Sequence, residues 1–336
     1  MTSSLRDRGR GRLPKAPKLL GLGALALATV AAFTATASAT GPGKNGQIVF
    51  RVALGHPARL AIVNADGTGE RRLTGTKGVD DGQPDWSPDG SKIAFHRCVV
   101  KGAVGCAIFT IRPDGTGLKR LGPAADDRAM PAWASNGKAI AFSRGWGPVQ
   151  GDWIKFNELF VMNASGTGVR QLTRFNASKP FSTFVGGSSW APDGKRLVFE
   201  AGTSPRGEPA NGRALFIVNA DGSGLRQLTP WGLNAGDRPD WSPDGELILF
   251  KAPAKGQHGN LYTINADGTG LKQLTHYPAP RAVFSGSFSP DAKWITFSRG
   301  PGYPGIFVMR ADGTGVRQIT RGGWHNNPDW GTHGER

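Results

Sequence analysis

Cysteine and methionine are scarce in this chain of 336 residues, at two and four. Two cysteines cannot staple a disulfide-dense fold or fill a cysteine zinc cluster. Tyrosine is nearly as rare, with Tyr262, Tyr277 and Tyr303 the full set. A sialidase-type site, which sets a tyrosine nucleophile beside an arginine triad, has little to draw on. The serine-hydrolase elbow G-x-S-x-G and the zinc-protease pair H-E-x-x-H are both absent. No apolar run reaches the ~20 residues of a membrane helix. Charged residues make up 20% and hydrophobic ones 38%, enough apolar material for a core, which excludes wholesale disorder. Glycine and proline are abundant, at 50 and 24. That balance argues for many short strands joined by tight turns rather than for helices.

The first 39 residues read as a leader. Arg6, Arg8, Arg10, Arg12, Lys15 and Lys18 precede an apolar run over 19–33, and Ala37-Ser38-Ala39 follows. Base, apolar stretch and small-residue cleavage site together make a secretory signal peptide, with Thr40 the first mature residue. An uncleaved anchor is the alternative. No cysteine follows the run, so no lipid anchor is expected. The leader carries +5 of the formal charge of +16, which leaves +11 on residues 40–336. A surface of that sign steers acidic proteins and anionic envelope glycans toward it, and it also serves plain solubility. Nucleic acid fits the charge but not an exported chain. In an oxidising compartment Cys98 and Cys106 are expected to form a disulfide that closes a hairpin across 99–105.

Internal repetition dominates the rest. A D-G-T-G turn recurs at Asp66, Asp114, Asp221, Asp267 and Asp312, with Ser165 heading the sixth copy and Ser223 standing for Thr in one. The spacings are 48, 51, 56, 46 and 45 residues. A second block, W-S-P-D-G followed by K-I-A-F, alternates with the first and begins at Trp86, Trp133, Trp190, Trp241 and Phe288. A period of ~40–50 residues with four short strands per unit predicts a β-propeller. Glycine supplies the positive φ and aspartate the local hydrogen bond that such turns need, so turn chemistry accounts for D-G-T-G without a bound calcium ion. The chain ends in a sixth strand a, Pro328-Asp329-Trp330, and starts, near Gln47, with a strand whose inner partner is missing. The fold expected is all-β: a six-bladed propeller over 40–336 with four-stranded blades, closed by pairing the N- and C-terminal strands in one blade. The tryptophans should pack between blades. The cation on each outermost strand (Arg71, Lys119, Arg170, Arg226, Lys272, Arg317) should guard its free edge rather than form a binding belt.

These W-S-P-D-G and N-A-D-G-T-G-x-R-Q-L-T units, over residues 44–330, resemble the WD40-like Pro-Asp repeats of TolB-like six-bladed propellers. The resemblance implies the fold strongly. For activity it implies several possibilities, since members serve as protein-docking scaffolds, as gating domains of peptidases and as lyases.

Short turns occupy one face of such a ring, and longer, variable loops occupy the other, where function usually sits. The loop face carries Trp146, Trp153, Trp231, Tyr277, Tyr303 and Trp324, with Arg144, Arg174 and Arg321 for anionic groups. Aromatics beside bases suit a protein or sugar partner, or else they tuck beneath their own loops. His56, His258, His276 and His325 map to the same face. Oligogalacturonate lyases, which the resemblance brings in, use a similar propeller with a histidine-rich metal site, so His276 and His325 are candidate ligands in that reading. No ligand spacing or partnering carboxylate marks a metal site, and no catalytic pair stands out. The primary expectation is an exported, non-catalytic binding protein without cofactor. The alternative is a metal-assisted lyase or hydrolase acting on an acidic polysaccharide.

Overall fold

The computed structural model describes residues 43–333, apart from 54–56, 100–104, 124–126, 151–152, 176–182, 204–211, 254–258, 279 and 301–304, and without the side chains of 146–150, 153–156, 183 and 203. The leader lies outside the described residues. Six four-stranded antiparallel sheets follow one another as the blades of a propeller. In each, strands a to d run from the axis outward. Blade 1 joins His325–Thr332 to Asn45–Val52, Arg59–Val63 and Arg71–Arg72. Blade 2 is Val79–Trp86, Ile93–Val99, Cys106–Ile111 and Lys119–Leu121. Blade 3 is Arg128–Trp133, Ala139–Gln150, Trp153–Asn163 and Arg170–Gln171. Blade 4 is Thr183–Trp190, Arg196–Thr203, Arg213–Asn219 and Arg226–Gln227. Blade 5 is Gly236–Trp241, Leu247–Pro253, Gly259–Asn265 and Lys272–Gln273. Blade 6 is Ala282–Phe288, Trp294–Gly300, Gly305–Arg310 and Arg317–Gln318.

The ring closes as the split repeat requires. Ile48 pairs with Trp330 and Val49 with Asp329, so both chain ends share blade 1. The six a strands touch one another in sequence around the axis. Their aromatic residues wedge between blades: Trp86, Trp133, Trp190, Trp241, Phe288 and Trp330 are all buried. Trp86, for example, sits with Val49, Leu60 and Ile62 of blade 1 and with Ile93 and Phe95 of its own blade. Apolar area between blades is what a ring with no central core must bury, and large aromatics supply it.

The turns follow their sequence. Thr68 N–H donates to Asp66 Oδ1 at 2.8 Å, and Gly67 and Gly69 take φ of 91° and 65°. A side chain at Gly67 would meet the Ile319 carbonyl of the preceding blade, blade 6, at 2.9 Å, so glycine is required there twice over. In five of the six blades a threonine just after strand d caps strand c from the side: Thr74, Thr173, Thr229, Thr275 and Thr320 each accept a backbone N–H at 2.9–3.0 Å.

The cations of strand d do something other than guard an edge. Arg71, Arg170, Arg226 and Arg317 each donate to a carbonyl in the following blade's c–d turn, at Pro113, Ala220, Ala266 and Ala65. The d strands are only two or three residues long, so little edge is left to protect. A long guanidinium reaches across the gap and clips the outer rims of adjacent blades. Cys98 and Cys106 stand opposite each other in blade 2 and are disulfide-bonded.

Candidate binding face and central channel

The topology places every a–b and c–d turn on one face of the ring and every b–c and d–a connection on the other. The candidate residues on that loop face separate into three groups. Trp324 is 38% exposed, and Arg174, His276 and Arg321 are exposed with it. Trp231, Tyr277, Arg144 and His325 are held inside the fold. Tyr303, His56 and His258 lie outside the described residues. Trp146 and Trp153 belong by backbone to the long hairpin of blade 3, where Trp146 pairs with Phe156, and their side chains also fall outside.

The inward group has clear physical reasons. Trp231 starts a single 3-10 turn and lies against Phe216, ring centroids 5.7 Å apart, as the lid of the core between blades 3 and 4. Tyr277 is half-buried, with the Arg299 guanidinium 4.5 Å from its ring centre. Arg144 lies over Phe160 at 5.5 Å. His325 is not on the surface at all. Strand a of blade 1 begins one residue after Trp324, which turns His325 inward to 2% exposure. Its Nδ1 is 2.8 Å from Thr320 Oγ1 and its ring rests against Phe50. Burial, with Arg59 nearby, lowers its pKa. His276 is exposed and His325 is enclosed, so the two do not form a ligand pair. Among the described residues, no three His, Cys, Asp or Glu side chains are placed to hold a metal ion.

The axis of the ring holds residues that the repeat disguised. The position before each inter-blade aromatic is Asp85, Ala132, Ser189, Asp240, Ser287 or Asp329. Their side chains bridge to the next blade. Asp85 accepts Trp133 N–H at 2.6 Å, Asp240 accepts Phe288 N–H at 2.7 Å, and Asp329 accepts Trp86 N–H at 2.7 Å. Ser189 and Ser287 take the intervening junctions, to Trp241 at 3.1 Å and Trp330 at 3.4 Å. Each serine also donates to the aspartate of the next blade, at 3.2 and 3.0 Å. Ala132 alone breaks the pattern.

A guanidinium crosses this ring. Arg238 of blade 5 donates to the Pro84 carbonyl of blade 2 at 3.2 Å. Blades 2 and 5 stand opposite each other, so the side chain spans the channel. Burial, and mutual repulsion with Asp329, push Asp240 up to about 7. The same causes raise Asp85 well above the carboxylate range, and burial raises Asp329. Arg238 draws all three back down, which makes it the counter-charge of the channel. His96 of blade 2 is held neutral, its pKa lowered to about 3 by burial and by Arg51 and Arg238.

Arg238, Asp85, Asp240 and Asp329 were not singled out from the sequence. The available signal was the aspartate of P-D-W, present in three repeats and replaced by Ala or Ser in the others. Also missed was an apolar residue after the D-G-T-G turn: Leu118, Leu225, Leu271 and Val316 are 38–49% exposed on the turn face. They occur singly in four of the six blades, as isolated exposed side chains commonly do.

No family model and no curated protein matches this sequence. Solved structures do match. TolB from Acinetobacter baumannii aligns with a TM-score of 0.66 at 20% identity, over 86% of this chain and 67% of that one. The chain has the fold of the TolB propellers. A chain of a nidogen/laminin complex aligns with a TM-score of 0.60 at 10% identity, over 85% and 98%. An oligogalacturonate lyase in complex with manganese aligns with a TM-score of 0.54 at 15% identity, over 81% and 73%. Among the described residues no helix is long and apolar enough to cross a membrane.

Proposed function

We propose that this chain is an exported, non-catalytic binding scaffold that docks a protein partner on the loop face of its propeller. The observation that carries the reading is the surface around Trp324. It is the one aromatic among the large exposed hydrophobic residues described, and exposed Arg321 lies three residues before it, in the same d–a connection. Tryptophan and arginine are among the residue types most enriched at the energetic centres of protein interfaces. The net charge of +11 on residues 40–336 favours an acidic partner, with an anionic envelope glycan as the other candidate. The leader pattern and the Cys98–Cys106 disulfide both support an oxidising, extracytoplasmic compartment. The likeness to TolB and to a chain of a protein–protein complex supports docking.

The second reading, a metal-assisted lyase or hydrolase on an acidic polysaccharide, draws on the likeness to the manganese-bound lyase. The burial of His325 weighs against the ligand set that the sequence offered for it. To test the first reading, the protein serves as bait on envelope extract, half of it protease-treated. Capture that disappears with protease supports protein docking. Capture that survives and carries acidic sugar moves the reading to glycan, and stoichiometric divalent metal with turnover of that sugar would replace it by the lyase.

A further inference from the structure

Blades 4 and 5 border an open cavity of ≈ 320 Å³ on the loop face, lined by Arg213, Asn234, Asp237, Lys251 and Pro253 together with Gly236 and Gly259. We propose that this cavity binds the carboxylate of a small, hydroxyl-bearing acid, held by Arg213 and Lys251.

The hydrogen-bond inventory points that way. Arg213 Nη1 donates to Glu200 Oε2 at 3.3 Å, and half of the Arg213 side chain remains exposed. Lys251 Nζ donates to Asp237 Oδ2 at 2.9 Å and keeps two further hydrogens. Asn234 accepts the Arg213 backbone N–H through Oδ1 at 3.0 Å, which leaves its amide hydrogens facing outward from that bond. Glu200 Oε2 is already occupied by Asp237 N–H at 2.7 Å as well as by Arg213, and burial raises its pKa. Each cation is paired with one carboxylate, Arg213 with buried Glu200 and Lys251 with Asp237, and each keeps N–H groups beyond the one that makes that pair. An acceptor-rich anion is the complement of such a lining.

The site is also built rather than accidental. Phe184 lies beneath the Arg213 guanidinium at 5.8 Å and Phe284 beneath Lys251 at 5.3 Å, so both cations are seated on rings. Asn234 and Asp237 have φ of 52° and 64°, whereas the 62° of Arg238 belongs to the strand a bulge that Gln83, Met130 and Asn327 share in other blades. Strained backbone outside that shared bulge gathers where geometry is held for a purpose. A Cβ on Gly236 would meet Glu200 Oε2 at 2.2 Å, and one on Gly259 would meet Lys251 Cε at 2.2 Å. Glycine at both positions leaves room for the charged side chains to lean in. The volume lies at the lower end of small-molecule sites, ~300 Å³ upward, and suits a single ring.

The inference does not depend on docking at Trp324. The test is calorimetric titration of the full chain with D-glucuronate and, separately, with D-glucose at neutral pH. Glucuronate is expected to bind saturably and at least about tenfold more tightly than glucose. Arg213→Gln and Lys251→Gln should each weaken glucuronate by roughly tenfold, one charge-assisted bond apiece, with Tm held in Lys251→Gln and lowered in Arg213→Gln, which strands the buried Glu200. Lys138→Ala, at an a–b turn on the opposite face, should leave it unchanged. Equal affinity for the two sugars, no saturable binding of glucuronate, or full affinity in both glutamine variants would overturn the proposal. Trp324→Ala should not alter it, which separates its failure from that of the docking reading.

Discussion

The two faces of this propeller obey opposite rules. On the turn face, five of six c–d turns make the same bond at the same length: Thr68 to Asp66, Thr116 to Asp114, Ser223 to Asp221, Thr269 to Asp267 and Thr314 to Asp312, each at 2.8 Å. On the loop face the b–c and d–a connections differ from blade to blade. Trp231 caps a core, Tyr277 seats an arginine, Trp324 stands free, and a charged cavity opens beside blade 5. Repetition marks what every blade needs in order to fold. Departure from it marks what one blade does alone.

The comparison is sharpened first by tryptophans in the two settings. Trp241→Ala, which empties a fully buried wedge between blades 4 and 5, should lower stability by about 3–5 kcal/mol in denaturant unfolding. Trp324→Ala should stay within about 0.5 kcal/mol. If both changes are equally severe, the division into folding and binding residues fails.

A smaller loss should follow at the channel. Asp329→Ala removes the acceptor for Trp86 N–H and for Ser287 at the seam where the ring closes. It should lower stability by about 1–3 kcal/mol, the cost of a buried unpaired donor. Asp240 supplies a pH test. Its folded pKa of about 7 lies above the unfolded value near 3.8, so the native state binds more protons between those limits. Stability from this group is therefore lost as pH rises from 4 to 7. His96 acts in the opposite sense over the window from about 3 to 6.5, because its folded pKa is depressed. Asp240→Asn should remove the downward component, so that Tm measured from pH 5 to 8 falls less than in the wild type. An unchanged Tm–pH profile would show that the carboxylate is not desolvated as described.

The smallest effect belongs to the exposed turns. Asp267→Ala should lower Tm less than Asp329→Ala does, since water replaces the lost partner of Thr269. A larger fall would mean that the turns, rather than the ring, limit stability.

Most of the fold was legible because it is written six times. Glycines at turns, P-D-W wedges and the split first blade each constrain the same architecture, and the structure pairs Ile48 with Trp330 as the split demands. The site was far less legible. An aromatic residue in a loop reads the same whether it faces water, like Trp324, or its own core, like Trp231. His325 looks like a loop residue in the sequence because strand a of blade 1 begins before the P-D-W motif does. The strand d arginines look like edge guards because sequence does not reveal a partner in the next blade. Arg238 and Pro84 are 154 residues apart, and only ring closure brings them together.

The central claim, that binding belongs to the loop face and folding to the turn face, is tested most directly by one capture experiment with three proteins. Wild type, Arg321→Ala/Trp324→Ala and Leu225→Ser/Leu271→Ser would be compared as bait on the same envelope extract, with Tm measured for each. The account predicts that the loop-face variant loses protein capture at unchanged Tm while the turn-face variant retains it. Loss of capture in the turn-face variant, with full capture by the loop-face one, would contradict it.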